Sequence, residues 1–350
     1  MDSTMSAKAA VNKSPKLVNV ALQGGGAHGA FTWGVLDRLL EDGRISFEAI
    51  SGTSAGAMNA VVVADGIMKG GPDGARQALE DFWQAVSQEG AKSPIQRSLL
   101  NVVMGDWSLE NSPGYLFFDH LTRLASPYEL NPLNQNPLRD LLESQIDFDR
   151  LTACDKLKLF VSATNVHTGR VKVFTCREIT ADVVMASACL PLMFQAVEID
   201  GVPYWDGGYM GNPALFPFFD SCASSDVILV QINPIERKTT PRTAREILNR
   251  VNEIAFNSSL LKELRAIEFV ARLIDEGKLD PSHYKEVLLH RIEAGEEMLA
   301  LSASSKLNAE WEFLIHLRDI GREAASGWLE ESFDRIGKKS SVNIRTLFEG

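Results

Sequence analysis

The pentapeptide Gly-Thr-Ser-Ala-Gly at residues 52–56 has the residue types of a nucleophile for acyl transfer. The apolar run at residues 47–50 predicts a strand before it, and the small and apolar residues 57–64 predict a helix after it. A serine between glycines at such a junction is typical of a nucleophile elbow, because glycine relieves the crowding of the sharp turn. The helix start would also place N–H groups near Ser54, where an anion develops. Because this pattern also arises by chance, its weight depends on further residues.

A second stretch could stabilise that anion. Three consecutive glycines at residues 24–26 follow the apolar run at residues 17–22 and open a predicted helix. Backbone N–H groups can converge there on one point, which in acyl transfer would be the oxyanion of the tetrahedral intermediate. The glycine spacing across residues 24–29 also fits a dinucleotide-binding fingerprint. That fingerprint requires an acidic residue at the end of the second strand, whereas Glu48 lies inside it.

A serine nucleophile needs a base, and the sequence offers two kinds. His283, His290 and His316 follow the serine, as the histidine of an α/β-hydrolase triad would, but they fall in a stretch with a helical pattern. Asp206 ends a predicted hairpin strand and is followed by two glycines, which let backbone atoms approach closely. A carboxylate beside the serine hydroxyl could take its proton directly. An Asp-Gly-Gly sequence by itself is more often an ordinary turn.

The elements that must position these residues alternate as in an α/β protein. Strand, glycine loop, helix, strand, elbow and helix follow one another in residues 17–64, which predicts a mostly parallel central sheet with helices on both sides. Further strands are predicted at residues 157–163, 170–174, 197–199, 202–205 and 226–232, and long helices at residues 245–276 and 312–336.

This pattern divides the chain into three segments. We expect a flexible leader at residues 1–16, an acyl hydrolase domain at residues 17–240 and a helical C-terminal extension at residues 241–350. The extension would pack on the sheet or support a homo-oligomer. The irregular residues 90–137 are either a cap over a site or a stack of short core helices. Within them residues 99–118, together with residues 215–219, are apolar enough to line an acyl groove.

Composition narrows the class of protein. The 350 residues carry a net charge of -11, which argues against a general nucleic-acid binder. The four cysteines show no Cys-x-x-Cys spacing and indicate free thiols, and no His, Cys, Asp and Glu cluster has the spacing of metal ligands. No run approaches the ~18 apolar residues of a membrane span. We expect a cytoplasmic protein, which a local surface patch could still bring to a membrane.

Taken in this order, residues 23–29, 52–56 and 206–208 resemble the motifs of the patatin-like phospholipases of bacterial type. The resemblance covers residues 17–232. It implies an α/β sheet between helices and a Ser–Asp dyad without a catalytic histidine. It also implies hydrolysis of the acyl esters of phospholipids and related lipids without calcium or another cofactor.

Carried over by position, the resemblance makes Ser54 the nucleophile and Asp206 the proton acceptor. It also places Gly24, Gly25 and Gly26 in the oxyanion hole. We therefore predict a serine acyl hydrolase whose partner is a lipid or acyl-ester substrate.

One residue departs from the family pattern, and two other functions stay open. Family members often carry Arg or Lys where this chain has His28, so the sequence does not show whether a fixed cation lies near the glycine loop. An imidazole with an ordinary pKa of about 6.5 is largely neutral at pH 7.

The alternative functions are an esterase acting on intracellular polyester or small acyl esters, and a non-catalytic regulator that binds lipid in the same pocket.

Overall fold

The computed structural model describes residues 14–153 and 157–349. Most of the predicted leader, and Cys154, lie outside the described residues, and Lys16 already begins the first strand. Cys189 and Cys222 are free thiols, as predicted. Within the described ranges no helix is both long and apolar enough to cross a bilayer.

The central sheet has eight strands within the described residues. They are β1 (Lys16–Leu22), β2 (Ile45–Gly52), β3 (Lys158–Asn165), β4 (Val171–Thr175), β5 (Val197–Ile199), β6 (Val202–Asp206), β7 (Asp226–Val230) and β8 (Leu288–Ile292). Their order is β5-β6-β3-β2-β1-β7-β8, with β4 paired to β3. In the series β3-β2-β1-β7-β8 each strand pairs in parallel with the next. Strands β4 and β6 pair antiparallel with β3, and β5 pairs antiparallel with β6. The predicted fold class, a mostly parallel sheet among helices, is confirmed.

Helices cover the sheet and connect its strands. They are α1 (Gly29–Asp42), α2 (Ala55–Gly90), α3 (Leu99–Val103), α4 (Pro113–Leu124), α5 (Pro127–Leu130), α6 (Pro137–Gln145), α7 (Phe148–Thr152), α8 (Ala181–Ser187), α9 (Pro217–Ser221), α10 (Ala244–Asp275), α11 (Gly295–Ala300) and α12 (Trp311–Ser332). Helix α2 has a break, because Gly70 and Gly71 leave the helical region inside it.

Apolar strands and one helix pair build the core. Residues 18–22 of β1 are fully buried, as expected for a parallel strand covered on both faces. Helix α1 packs against the sheet on one side and against α12 on the other, where Trp33, Phe31 and Phe313 are fully buried. Their burial anchors the first helix, and with it the glycine loop that precedes it.

The C-terminal region is more than a helical extension. Its two long predicted helices are present as α10 and α12, but β8 also joins the sheet, parallel to β7. The prediction that His290 lies in a helical stretch was therefore wrong, since His290 is in β8. Five strand residues between polar segments leave too short a pattern to detect. The domain boundary at residue 240 stays a prediction.

The irregular residues 90–137 contain the short helices α3, α4 and α5, but these are not the predicted stack of core helices, and a cap over a site stays a prediction. Helix α4 buries none of its side chains. Val103, Met104 and Phe117 are exposed apolar residues of this region. Helix α10 also exposes apolar residues, among them Val251 and Ile254, and self-association through the C-terminal helices stays a prediction.

Candidate active site

The register of the sheet brings Ser54 and Asp206 to one point. On strand β3, Val161 pairs with Gly52 of β2, and Ala163 pairs with Asp206 of β6. Because β4 occupies the opposite edge of β3 at both positions, β2 and β6 lie end to end along the same edge. They run in opposite directions, so their carboxyl ends point at each other. The elbow that follows Gly52 therefore faces the carboxylate of Asp206.

The turn at Ser54 has the strained geometry of a nucleophile elbow. Ser54 has φ 54° and ψ -124°, a conformation that costs a non-glycine residue about 1–3 kcal/mol. The surrounding turn holds it, since the N–H of Ser54 donates a hydrogen bond to Oγ of Ser187 at 2.9 Å. A Cβ on Gly52 would lie 2.5 Å from the carbonyl oxygen of Gly56, which explains the glycine at the start of the turn. This geometry lifts the hydroxyl away from the strand.

Asp206 is buried and fixed in orientation. Its Oδ1 accepts a hydrogen bond from the N–H of Gly208 at 2.7 Å. Burial raises the pKa of Asp206 to about 7, although contacts with the Gly208 N–H and the Ser54 hydroxyl and the charge of Lys306 pull it downward. A carboxyl group with a pKa near neutrality can both accept and return a proton during a reaction at pH 7.

This pKa leads to a prediction for the pH dependence. Only the ionised carboxylate can accept the serine proton, so kcat/KM for ester hydrolysis is expected to rise as the pH is raised through about 7. Initial rates from about pH 5 to about pH 9, in buffers of constant ionic strength, measure this rise, which is the acid limb of the pH profile. A profile that stays flat across this range would exclude Asp206 as the group that limits the rate in acid.

The glycine loop approaches the elbow closely. A Cβ on Gly24 would lie 2.8 Å from Cβ of Ser54, so only glycine fits there. The N–H of Gly24 donates to Oδ1 of Asn212 at 2.7 Å and is therefore already engaged. The N–H groups of Gly25 and Gly26 find no hydrogen-bond acceptor within the described chain. These two N–H groups are free to bind an oxyanion, whereas Gly24 allows the glycine loop to approach the turn at Ser54 closely.

One cavity of about 290 Å³ joins these groups. Ser54, Asp206 and the three glycines lie in its wall. The rest of the wall is mainly apolar and includes Met58, Phe82, Trp83, Val86, Leu138, Leu190, Met193, Phe194 and Phe256. These side chains come from several separate elements, which is why no single stretch of sequence revealed the cavity.

The two stretches predicted to line an acyl groove do not line this cavity. Val103 and Met104 of the first stretch are exposed on the surface. Leu215 and Phe218 of the second are buried in a separate core cluster. The prediction was wrong because an apolar run shows that side chains avoid water, but not which surface they cover.

In the described residues no histidine completes a triad, since none of the six histidines of the chain lines the cavity. His283 is exposed beside Asp280, His290 pairs with the buried Asp226, and His316 stacks on Trp107.

The structure also places His28 and Glu48, the two remaining residues that the sequence analysis singled out. Burial lowers the pKa of His28 well below its ordinary value, aided by the charges of Lys306 and Arg237, so this imidazole is neutral at pH 7. Glu48 accepts hydrogen bonds from the N–H groups of Ala223 and Ser224, each at 2.7 Å. Its carboxylate is thus engaged by a loop and not free for a ribose.

Sequence reasoning missed four side chains around the site. Asn212 anchors the glycine loop, and its Nδ2 is buried without a partner in the described residues. Ser187 holds the elbow. Asn233 donates to the carbonyl oxygen of Gly24 at 2.7 Å, and Lys306 donates to Oδ1 of Asn233 at 2.8 Å. Only Asn212, six residues after Asp206, lies near a motif that could have drawn attention to it.

No group of three or more His, Cys, Asp or Glu side chains suited to a metal ion occurs in the part of the chain that the structure describes. Backbone N–H groups of the glycine loop and the side chain of Lys306 are the groups of the cavity wall that could stabilise a negative charge.

The mostly parallel sheet, its helices and the strained turn at Ser54 define an α/β protein, and the family model is more specific. The model described as "Patatin-like phospholipase" matches residues 20–219, which is more than half of the chain. The chain belongs to the patatin-like phospholipase family. Membership supports a lipid acyl hydrolase activity. No curated protein matches the chain.

Solved structures show weaker similarity. VipD from Legionella pneumophila is 17% identical, with a TM-score of 0.36, and the match covers 87% of this chain and 67% of VipD. ExoU from the type III secretion system of Pseudomonas aeruginosa, in its complex with SpcU, is 16% identical with a TM-score of 0.30. That match covers 89% of this chain and 53% of ExoU, so this chain spans about half of ExoU.

Proposed function

We propose that this protein is a serine acyl hydrolase that cleaves acyl esters of phospholipids or related lipids. The observation that carries the proposal is the convergence of Ser54, Asp206 and the glycine loop in one mainly apolar cavity. Neutral His28 and the distance of the other histidines from the cavity favour a Ser–Asp dyad over a triad.

The first half of the reaction forms an acyl-enzyme. The carboxylate of Asp206 takes the proton of the Ser54 hydroxyl as Oγ attacks the ester carbonyl carbon. The carbonyl oxygen becomes an oxyanion, which accepts hydrogen bonds from the N–H groups of Gly25 and Gly26. When the tetrahedral intermediate collapses, the bond to the alcohol oxygen breaks and Asp206 returns the proton to the leaving alcohol.

The second half releases the acid. Water enters the position of the departed alcohol and gives a proton to Asp206 as its oxygen attacks the acyl carbon. Collapse of the second tetrahedral intermediate breaks the bond to Ser54 Oγ, which recovers the proton. The glycine loop binds the oxyanion in both halves, so one set of donors serves both steps.

The apolar wall supports a substrate with a long acyl chain. For p-nitrophenyl esters, kcat/KM is expected to climb from acetyl to longer chains, because each buried CH₂ contributes up to about 0.8 kcal/mol. A Val86→Trp change would fill part of the cavity, so it should lower kcat/KM for long esters more than for the acetyl ester. Val103→Trp, at an exposed position, is the matched control.

A falling or flat series would remove the lipid substrate and favour the esterase on small acyl esters. Absence of any hydrolysis, with lipid still bound, would favour the non-catalytic regulator instead. Release of fatty acid from phospholipid vesicles, compared with the Ser54→Ala variant, tests the full proposal on the natural class of substrate. Peripheral contact with a lipid surface belongs to the proposal, since Val103, Met104 and Phe117 are exposed apolar residues.

A further inference from the structure

A segment of the C-terminal region is fixed against the glycine loop. A Cβ on Gly26 would lie 2.5 Å from the carbonyl oxygen of Lys306, so the two backbones are in close contact. The neighbouring Ser305 forms a buried hydrogen bond between its Oγ and Nε2 of His28, at 2.8 Å. The segment around Lys306 is therefore part of the wall behind the proposed oxyanion site, although it follows the loop by more than 270 residues.

Lys306 belongs to this segment and lines the proposed site. The partly buried side chain lies in the wall of the same cavity as Ser54 and Asp206. Its Nζ donates to Oδ1 of Asn233 at 2.8 Å, and Nδ2 of Asn233 donates to the carbonyl oxygen of Gly24 at 2.7 Å. An ammonium group has three N–H donors. In the described residues only one of them has a hydrogen-bond acceptor, which is Oδ1 of Asn233.

The charges around Lys306 leave its positive charge incompletely balanced. Burial lowers the pKa of Lys306, and the charge of Glu253 opposes this effect. That carboxylate is already paired with Arg237 at 2.7 Å and Arg250 at 3.1 Å. His28 is neutral, so it adds no charge. The charge of Arg237 opposes that of Lys306, and Asp206 is the remaining acidic group that favours it.

We propose that Lys306 is a positioning residue for the hydrolysis: its ammonium group favours the ionised form of Asp206 and stabilises the oxyanion that forms at the glycine loop. This inference rests on the proposed function. The ionised Asp206 and the oxyanion both add negative charge to the same apolar cavity. A fixed positive charge there favours both, because the low dielectric of the cavity weakens its field far less than water would.

Other groups that face Asp206 do not supply this charge. Burial raises the pKa of Cys189 to about 12, and burial also raises the pKa of Tyr209, so both stay neutral at pH 7. The charge of Lys306 lowers the pKa of Asp206, in opposition to the larger effect of burial. Loss of this charge should therefore move the acid limb of the pH profile to higher pH.

A structural role through Asn233 is the competing explanation, and three variants separate the two. Lys306→Met removes the charge and the donor, Lys306→Gln keeps a donor without charge, and Lys306→Arg keeps the charge. Lys338→Met, at an exposed position of the same C-terminal region, is the control for net charge. Melting temperatures identify the variants that fold.

We expect Lys306→Met and Lys306→Gln to lower kcat for a p-nitrophenyl ester by at least about 10-fold, with KM changed by no more than about 3-fold. Both should move the acid limb to higher pH. Lys306→Arg should keep the limb in place and retain kcat within a few fold, and Lys338→Met should match the wild type. Should Lys306→Met fail to fold, Lys306→Gln carries the same test.

Two results would overturn the inference. Lys306→Gln with the kcat and acid limb of the wild type would show that the hydrogen bond, and not the charge, matters. Equal losses in Lys306→Arg and Lys306→Gln would show that the size of the side chain, and not its charge, matters. Failure of the proposed function is distinguishable, because the wild type itself would then hydrolyse no ester.

Discussion

Replacement of Ser54 by alanine is expected to lower kcat/KM for ester hydrolysis by at least about 10⁴-fold, because no other group can form the acyl-enzyme. The elbow places only this hydroxyl between the glycine loop and Asp206 in the described cavity. Rates with a long-chain p-nitrophenyl ester, compared at equal enzyme concentration, measure the loss. The variant should fold normally, since alanine removes one oxygen atom from a partly exposed side chain.

Ser46→Ala is the matched control for this change. Ser46 lies on the same strand, β2, but its side chain is exposed at the other end of that strand. The control should keep wild-type rates. Hydrolysis that persists at more than about one hundredth of the wild-type rate in folded Ser54→Ala would show that another residue is the nucleophile.

Replacement of Asp206 by asparagine is expected to lower kcat by at least about 10²-fold, the lower end for the loss of a general base. Asparagine keeps the shape of the side chain, and its oxygen can still accept the hydrogen bond from the Gly208 N–H. Only the ability to accept a proton is lost. The acid limb near pH 7 should disappear from whatever activity remains.

Asp200→Asn is the matched control for this change, in the turn of the same hairpin. Asp200 is exposed and has φ 51°, a conformation that asparagine also tolerates, so the control should keep the wild-type kcat. His283→Ala and His316→Ala should likewise stay within a few fold. Near-complete loss in either folded histidine variant would contradict the dyad and indicate a triad.

Local sequence patterns predicted the elements around the site well. The hairpin before Asp206 is present, with Asp200 and Gly201 both at positive φ, as its Asp-Gly turn requires. The elbow and the glycine loop also lie where their flanking strands and helices indicated. Each of these features is encoded within about ten neighbouring residues, so sequence alone reveals it.

Features that depend on distant residues escaped prediction. Lys306 and Asn233 act on a loop at the other end of the chain, and neither lies in a stretch with a recognisable pattern. The sequence left open whether a cation lies near the glycine loop, because His28 stands in the position where the family often has a basic residue. The structure places Lys306 at this loop from the C-terminal region, where it is the proposed positioning residue.

The most direct test of the central claim is covalent labelling of the nucleophile. A fluorophosphonate reacts with an activated serine, and mass spectrometry of the digested protein identifies the modified residue. We predict one adduct, on the peptide that contains Ser54, with strongly reduced labelling in Asp206→Asn and none in Ser54→Ala. Labelling of a different residue, or undiminished labelling of Ser54→Ala, would contradict the assignment of Ser54 as the nucleophile of this hydrolase.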